Sequence, residues 1–335
     1  MKQRIPMASR LHGRLDDVSG EAGYPEHPPR VGFFTDTSVC IGCKACEVAC
    51  KEWNALPDPE AGVLKLSGES YDNTGSLGSN SWRHVAFIEQ GPLEVGAPIP
   101  ADGFPAAGPR GPADVLGPAL AGADGPLAPA TRWLMASDVC KHCTHAACLD
   151  VCPTGALLRT EFGTVIVQSD VCNGCAYCVS ACPFGVIDRR EDDGRAWKCT
   201  MCYDRLRGGM EPACAKACPT DSIQFGPLDD LRVTAAARVQ ELQARGEAGA
   251  RLYGDDPGDG VGGDGAFFLL LDEPEVYGLP PDPVVTTRDL PSMWRHAGAA
   301  AAALAALAAV SFGAGALGER LGLGAWLGGQ LGGRR

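Results

Sequence analysis

The stretch CNGCAYCVSACP, residues 172–183, places cysteines at 172, 175, 178 and 182 and a proline directly after the last. Three further groups repeat the theme at 40, 43, 46 and 50, at 140, 143, 148 and 152, and at 199, 202, 214 and 218. The 335 residues contain 16 cysteines, so the four groups leave none over. Whatever chemistry these thiols perform, they perform it in sets of four.

Three chemistries compete for such sets. Disulfides serve small secreted domains that lack a core, whereas this chain is long, 45% hydrophobic and shows no N-terminal segment with the basic, apolar and small-residue regions of a signal peptide. Structural zinc takes two separated C-x2-C knuckles. The pairs 140/143 and 199/202 alone would suit it, but residues 172–182 crowd too many thiolates together for one tetrahedral ion. The C-x2-C-x2-C-x3-C-P run is the spacing that holds iron–sulfur cubes, with three cysteines wrapping one [4Fe–4S] cluster and the fourth reaching a second.

Small residues within the runs, Gly42, Ala45, Gly174 and Ala176, let the loop close on three irons with backbone N–H groups turned toward sulfur. The turn that follows carries the fourth thiolate away, so motifs must pair. Motifs two and three lie close together, joined by residues 153–171, which read as a turn, a short strand over Thr164–Val167 with Val165 and Val167 on one face, and a return. Motifs one and four are left to each other. The expected ligand sets are therefore crossed: Cys40, Cys43, Cys46 and Cys218 for cluster 1, and Cys50, Cys199, Cys202 and Cys214 for cluster 2. Cluster 3 takes Cys140, Cys143, Cys148 and Cys182, and cluster 4 takes Cys152, Cys172, Cys175 and Cys178. Prolines follow Cys152, Cys182 and Cys218, where a fixed φ suits the next turn, while Cys50 runs on into KEWNAL, a continuing helical turn.

The order of motifs, the long gap between Cys202 and Cys214, and the phrases CKHCTHAACLDVCPTGAL, FGVIDRREDDGRAWKCTMCYDRL and ACAKACPTDSIQFG resemble the iron–sulfur (beta) subunit of membrane-bound formate dehydrogenase. The likeness covers residues 31–56, 131–228 and 266–318, and the tail FFLLLDEPEVYGLPPDPVV singles out this family from other four-cluster electron-transfer subunits. It implies a non-catalytic electron-transfer subunit of an anaerobic respiratory complex. Electrons would pass from a catalytic alpha subunit with a molybdenum- or tungsten-pterin to a membrane cytochrome b gamma subunit and quinone. The cluster domain would lie on the outer face of the cytoplasmic membrane, exported with a partner that carries the signal. The equivalent subunit of a membrane-bound hydrogenase or another pterin oxidoreductase is the alternative reading, with a stand-alone ferredoxin behind it. No nucleophile or acid–base pair is visible, so the isolated chain is not read as an enzyme and its catalytic residues are none.

The fold class expected is α+β: two ferredoxin-like dicluster units, one inserted in the other, plus a C-terminal transmembrane helix. Residues 1–30 read as a polar, disordered arm. Residues 31–90 and 191–228 form the outer unit and 131–190 the inserted one. Between them, 17 of the 40 residues from 91 to 130 are Gly or Pro, the mark of a surface insertion. A C-terminal extension covers 229–292, with a helix over 229–246 that buries Ala235, Val239 and Leu242, and a plain loop at GDDPGDGVGGDG, residues 254–265. His142 and His145 are read as hydrogen-bond donors or solvent-facing, not as ligands. Lys44, Lys141 and Lys198 stand beside cysteines and would raise cluster potentials by their charge.

Residues 293–318 are assigned to a transmembrane helix and 319–335 to a tail. From Ala297 to Gly318 there is no charge over 22 residues, about 33 Å as a helix against a hydrocarbon core of about 30 Å. Lipid is thus a partner through residues 297–318, with Trp294 at the interface. The formal charge of −12 becomes about −20 with sixteen thiolates and four +2 cores, which excludes nucleic acid as a partner.

Overall fold

The structure is a computed structural model and describes residues 17–57, 71–72, 74–90 and 132–320. The expected insertion at 91–130, residues 1–16 of the arm and residues 321–335 of the tail lie outside the described residues. One compact unit runs from Leu15 to Val285, and Thr286 onward belongs to a second.

A four-stranded sheet organises the first unit, in the order β8 (Ile223–Pro227), β1 (Val31–Asp36), β10 (Ala266–Leu270), β9 (Arg251–Tyr253). Strand β1 runs antiparallel to β8, pairing Phe33 with Phe225, and parallel to β10, pairing Phe33 with Ala266. Strand β10 is the apolar run AFFLL and is buried at all five positions, as a strand covered on both faces must be. The faces differ. Phe34, Phe267 and Leu269 pack with Leu228, Leu231, Ala235 and Leu242 of helix α7 (Leu228–Ala244), while Phe33 and Ala266 turn toward the cysteines. The period-2 alternation of the strands thus separates a helix-covered face from a sulfur-lined one.

The expected helix over 229–246 is α7, with Ala235 and Leu242 buried and Val239 partly so, and Gly246 follows it at φ 101°. The C-terminal extension, however, is no appendage. Its strand β10 lies inside the sheet because a fully apolar five-residue run cannot remain at a surface. Residues 17–30 also differ from the expected arm. Helix α1 (Val18–Glu21) buries Val18, and Arg30 donates to Thr144 Oγ1 at 2.7 Å and to the His142 carbonyl at 3.0 Å.

Hairpins carry the cysteine loops. Strands β2 (Arg83–Gln90) and β3 (Arg132–Val139) pair antiparallel from Arg83–Val139 to Gln90–Arg132. The segment between motifs two and three holds two strands, β4 (Leu157–Arg159) and β5 (Val165–Val167), where one over 164–167 was expected. Strands β6 (Asp188–Arg189) and β7 (Ala196–Trp197) lead into motif four. Short helices follow the loops: α2 (Ala45–Trp53), α3 (Ala147–Asp150), α4 (Tyr177–Ala181), α5 (Tyr203–Arg207) and α6 (Ala213–Lys216). Helix α2 packs against α6, and α3 against α4.

The second unit contains helix α8 (Leu290–Arg320), longer at both ends than the expected span of 293–318. Within it Ser292–Phe312 is long and apolar enough to cross a membrane, with a mean hydropathy of 1.3 and none of that window buried.

Candidate metal centres

The loops bend through left-handed backbone at matching offsets. Gly42 and Gly174 have φ 64° and 72°, and two residues later Lys44 and Ala176 have φ 59° and 64°. A Cβ at Gly42 would press on the Phe87 ring at 2.6 Å, and one at Gly174 would overlap the Gly194 carbonyl oxygen. Ala45, expected as one of the small loop residues, instead begins α2, and it is Lys44 that takes the strained conformation. Motif four bends at Met201 and Cys202, and motif two at His142. Successive turns of this hand point backbone N–H groups at an anion. Accordingly the Met201 N–H reaches Cys199 Sγ at 3.2 Å and the Ala196 N–H reaches Cys172 Sγ at 3.4 Å.

Four groups of thiols result. Cys140, Cys143, Cys148 and Cys182 line one chamber that opens in part to solvent. Cys40, Cys43, Cys46 and Cys218 line a second, with Ser137 and Ser222 in its wall. Cys50 is buried among Cys199, Cys202 and Cys214, and Asn54 Nδ2 lies 3.7 Å from its sulfur and 3.9 Å from that of Cys202. Helix α2 continues past Cys50 as KEWNAL predicts, and Asn54 caps it by donating to the Cys50 carbonyl. Cys178 neighbours Cys172, Cys175 and Cys152, and the last of these lies 3.6 Å from Thr154 Oγ1.

Burial dominates the electrostatics of the most enclosed of these thiols in the iron-free chain. It pushes Cys46 up to about 11 and Cys148 up to about 12, and raises Cys50, Cys143 and Cys199 well above the ordinary thiol range. Cys152, which is more open, is held below the ordinary thiol range: its slight burial is outweighed by N–H groups of Leu157, Thr154 and Ala156 and the Thr154 hydroxyl.

The donor set fits a [4Fe–4S] cube. Each group supplies four thiols, and among the described residues no three His, Cys, Asp or Glu side chains converge on a single ion. His142 gives a second indication. Its Nδ1 accepts from the Val165 N–H at 3.1 Å, which leaves the proton on Nε2. That N–H is buried in the wall of the Cys140 chamber with no protein partner, a donor available to cluster sulfur. Burial first, then the Lys198 charge, keeps this imidazole neutral. His145 does not line the chamber and lies over Gly262.

Of the three lysines, Lys44 pairs with Glu47 at 3.6 Å and Lys141 pairs with Asp138. Lys198 alone meets no carboxylate among the described residues; it is 2% exposed and donates to the carbonyls of Val165 and of Cys199, the latter at 3.0 Å. The motifs do not reveal Arg83, which lies outside them. Its guanidinium is fully buried, donates to Cys214 Sγ at 3.2 Å and to the Ser137 carbonyl at 3.2 Å, and sits 4.9 Å from the Phe33 ring. The loop at 254–265 is also functional scaffolding. Thr144 N–H and Oγ1 both donate to the Gly263 carbonyl, and the His145 N–H donates to that of Val261.

A family profile described as a 4Fe-4S dicluster domain matches residues 131–228. The chain is 36% identical over 279 residues to the formate dehydrogenase, nitrate-inducible, iron-sulfur subunit of Escherichia coli strain K12, covering 81% of this chain and 79% of that protein. It is 35% identical to the formate dehydrogenase iron-sulfur subunit of Haemophilus influenzae, with 81% and 76% covered. The B component of the anaerobic dimethyl sulfoxide reductase of Escherichia coli is 32% identical over 60% of this chain and 75% of its own length. With the cysteine loops, the thiol sets and a similarity that spans most of both chains, this protein belongs to the family of formate dehydrogenase iron–sulfur subunits.

Proposed function

We propose that the chain carries four [4Fe–4S] clusters and conducts electrons from a formate-oxidising molybdenum- or tungsten-pterin subunit to a membrane cytochrome b and quinone. The observation that carries this reading is the mixed origin of each thiol group: three cysteines from one motif meet one from its partner motif. In the proposed arrangement the unit of 131–190 is inserted into the unit of 31–90 and 191–228, and its packing of α3 on α4 repeats the packing of α2 on α6. Bound in these sites, the clusters supply one-electron carriage.

The residues of the chain insulate and order that path. Cys50, Cys199, Cys202 and Cys214 are all buried, whereas Cys43 and Cys175 are exposed, with Ile41 and Tyr177 beside them at the surface. Clusters 1 and 4 therefore terminate the wire, and clusters 2 and 3 form its interior. Helix α8 anchors the complex in the membrane, with the cluster domain outside.

Cys50→Ala tests the crossed assignment. It should perturb the cluster of Cys199, Cys202 and Cys214 and leave that of Cys40, Cys43 and Cys46 intact in electron paramagnetic resonance. Loss of the latter with retention of the former would refute it. A large pterin-binding subunit encoded beside this chain supports formate as the donor, and a nickel-binding one supports hydrogen.

A further inference from the structure

Arg83 and Lys198 are buried cations that no carboxylate among the described residues answers. Each is 2% exposed. A buried charge left unpaired is costly, so the counter-charge must come from something else in the interior. Beside carbonyls and a hydroxyl, the groups near both cations that can carry negative charge are thiols. Arg83 holds Cys214 Sγ at 3.2 Å and Ser137 Oγ at 3.4 Å, and Ser137 Oγ in turn lies 3.2 Å from Cys46 Sγ. Cys46 and Cys214 belong to different thiol groups. Lys198 lines the chamber of Cys140 and Cys148 and donates to the Cys199 carbonyl at 3.0 Å, again two groups.

We propose that Arg83 and Lys198 are counter-ions shared between neighbouring clusters, Arg83 between clusters 1 and 2 and Lys198 between clusters 2 and 3, and that they raise the reduction potentials of the clusters they join. The inference rests on the four-cluster ligand sets above. A four-thiolate cube carries about −2 when oxidised and about −3 when reduced, so a fixed neighbouring cation favours the reduced form. A guanidinium stays charged under all working conditions and offers a fork that can serve two acceptors at once, which is what the Ser137 and Cys214 contacts require. Cluster 2 faces both cations. It is therefore the cluster whose potential they raise most, and the interior of the wire remains reducible although it is buried from water, where burial alone would oppose the added negative charge.

The test is a redox titration of the membrane complex followed by electron paramagnetic resonance, with signals assigned through Cys→Ser variants at one ligand of each cluster. Arg83→Met should lower clusters 1 and 2 by at least a tenfold change in their reduction equilibrium, about 59 mV for one electron, and leave cluster 4 unmoved. Lys198→Met should lower clusters 2 and 3 and leave cluster 1 unmoved. Arg83→Lys and Lys198→Arg, which keep the charge, should restore most of each shift. Equal potentials in the neutral and charged variants overturn the proposal. So does loss of iron in both neutral variants while both charge-keeping variants retain it, because the charges would then be structural only. A wild-type complex with fewer than four clusters would instead defeat the ligand sets themselves, which separates the two failures.

Discussion

Gly174 carries the tightest steric demand in the cysteine loops, since its φ of 72° and the Gly194 carbonyl oxygen both refuse a side chain. Gly174→Ala should cost about 1–3 kcal/mol in backbone strain alone and reduce iron from about 16 to about 12 per chain, read by iron analysis and thermal unfolding. The thiols predict a pH dependence. Because burial holds Cys46 up to about 11 and Cys148 up to about 12 without iron, each loses a proton when it becomes a ligand. The iron-free chain therefore binds more protons than the loaded one throughout the range below those values, and falling pH favours iron loss. Release to excess chelator, calibrated at each pH, should be greater at pH 6.5 than at pH 8.5. The loop glycines and Ala176 were legible from spacing because the motif needs φ > 0 there. Lys44 was not, since its strain is carried by packing on Phe87 and the Glu47 ion pair, which no local pattern announces.

At the scale of elements, the segment 254–265 supports motif two through backbone acceptors. Thr144 links it to Arg30 as well, so Thr144→Val leaves a buried guanidinium nitrogen without its acceptor. The change should cost about 1–3 kcal/mol, seen as a lower unfolding temperature, and should loosen cluster 3 before the others. Helix α7 was legible because its apolar spacing is local. The placement of β10 beside β1 was not, because parallel pairing joins residues far apart in sequence and the apolar run AFFLL is compatible with any buried strand. Arg83 escaped for the same reason, its partners Ser137 and Cys214 lying far from it along the chain. Strand β4 was missed because LLR has no alternation to mark it.

Across the whole molecule, the unit Leu15–Val285 contains all 16 cysteines, and α8 belongs to the other unit. Ending the chain after Pro291 should leave the clusters intact and release the protein with its catalytic partner from washed membranes, and dye reduction should persist while quinone reduction is lost. A truncated chain that stays bound would remove α8 as the anchor. The claim on which the rest depends is that sixteen thiols hold four cubes. Iron and acid-labile sulfide measured per chain in anaerobically purified complex, with the iron of the catalytic partner subtracted, test it directly. The account predicts about 16 of each; about 8 of each, or zinc at full occupancy, would contradict it.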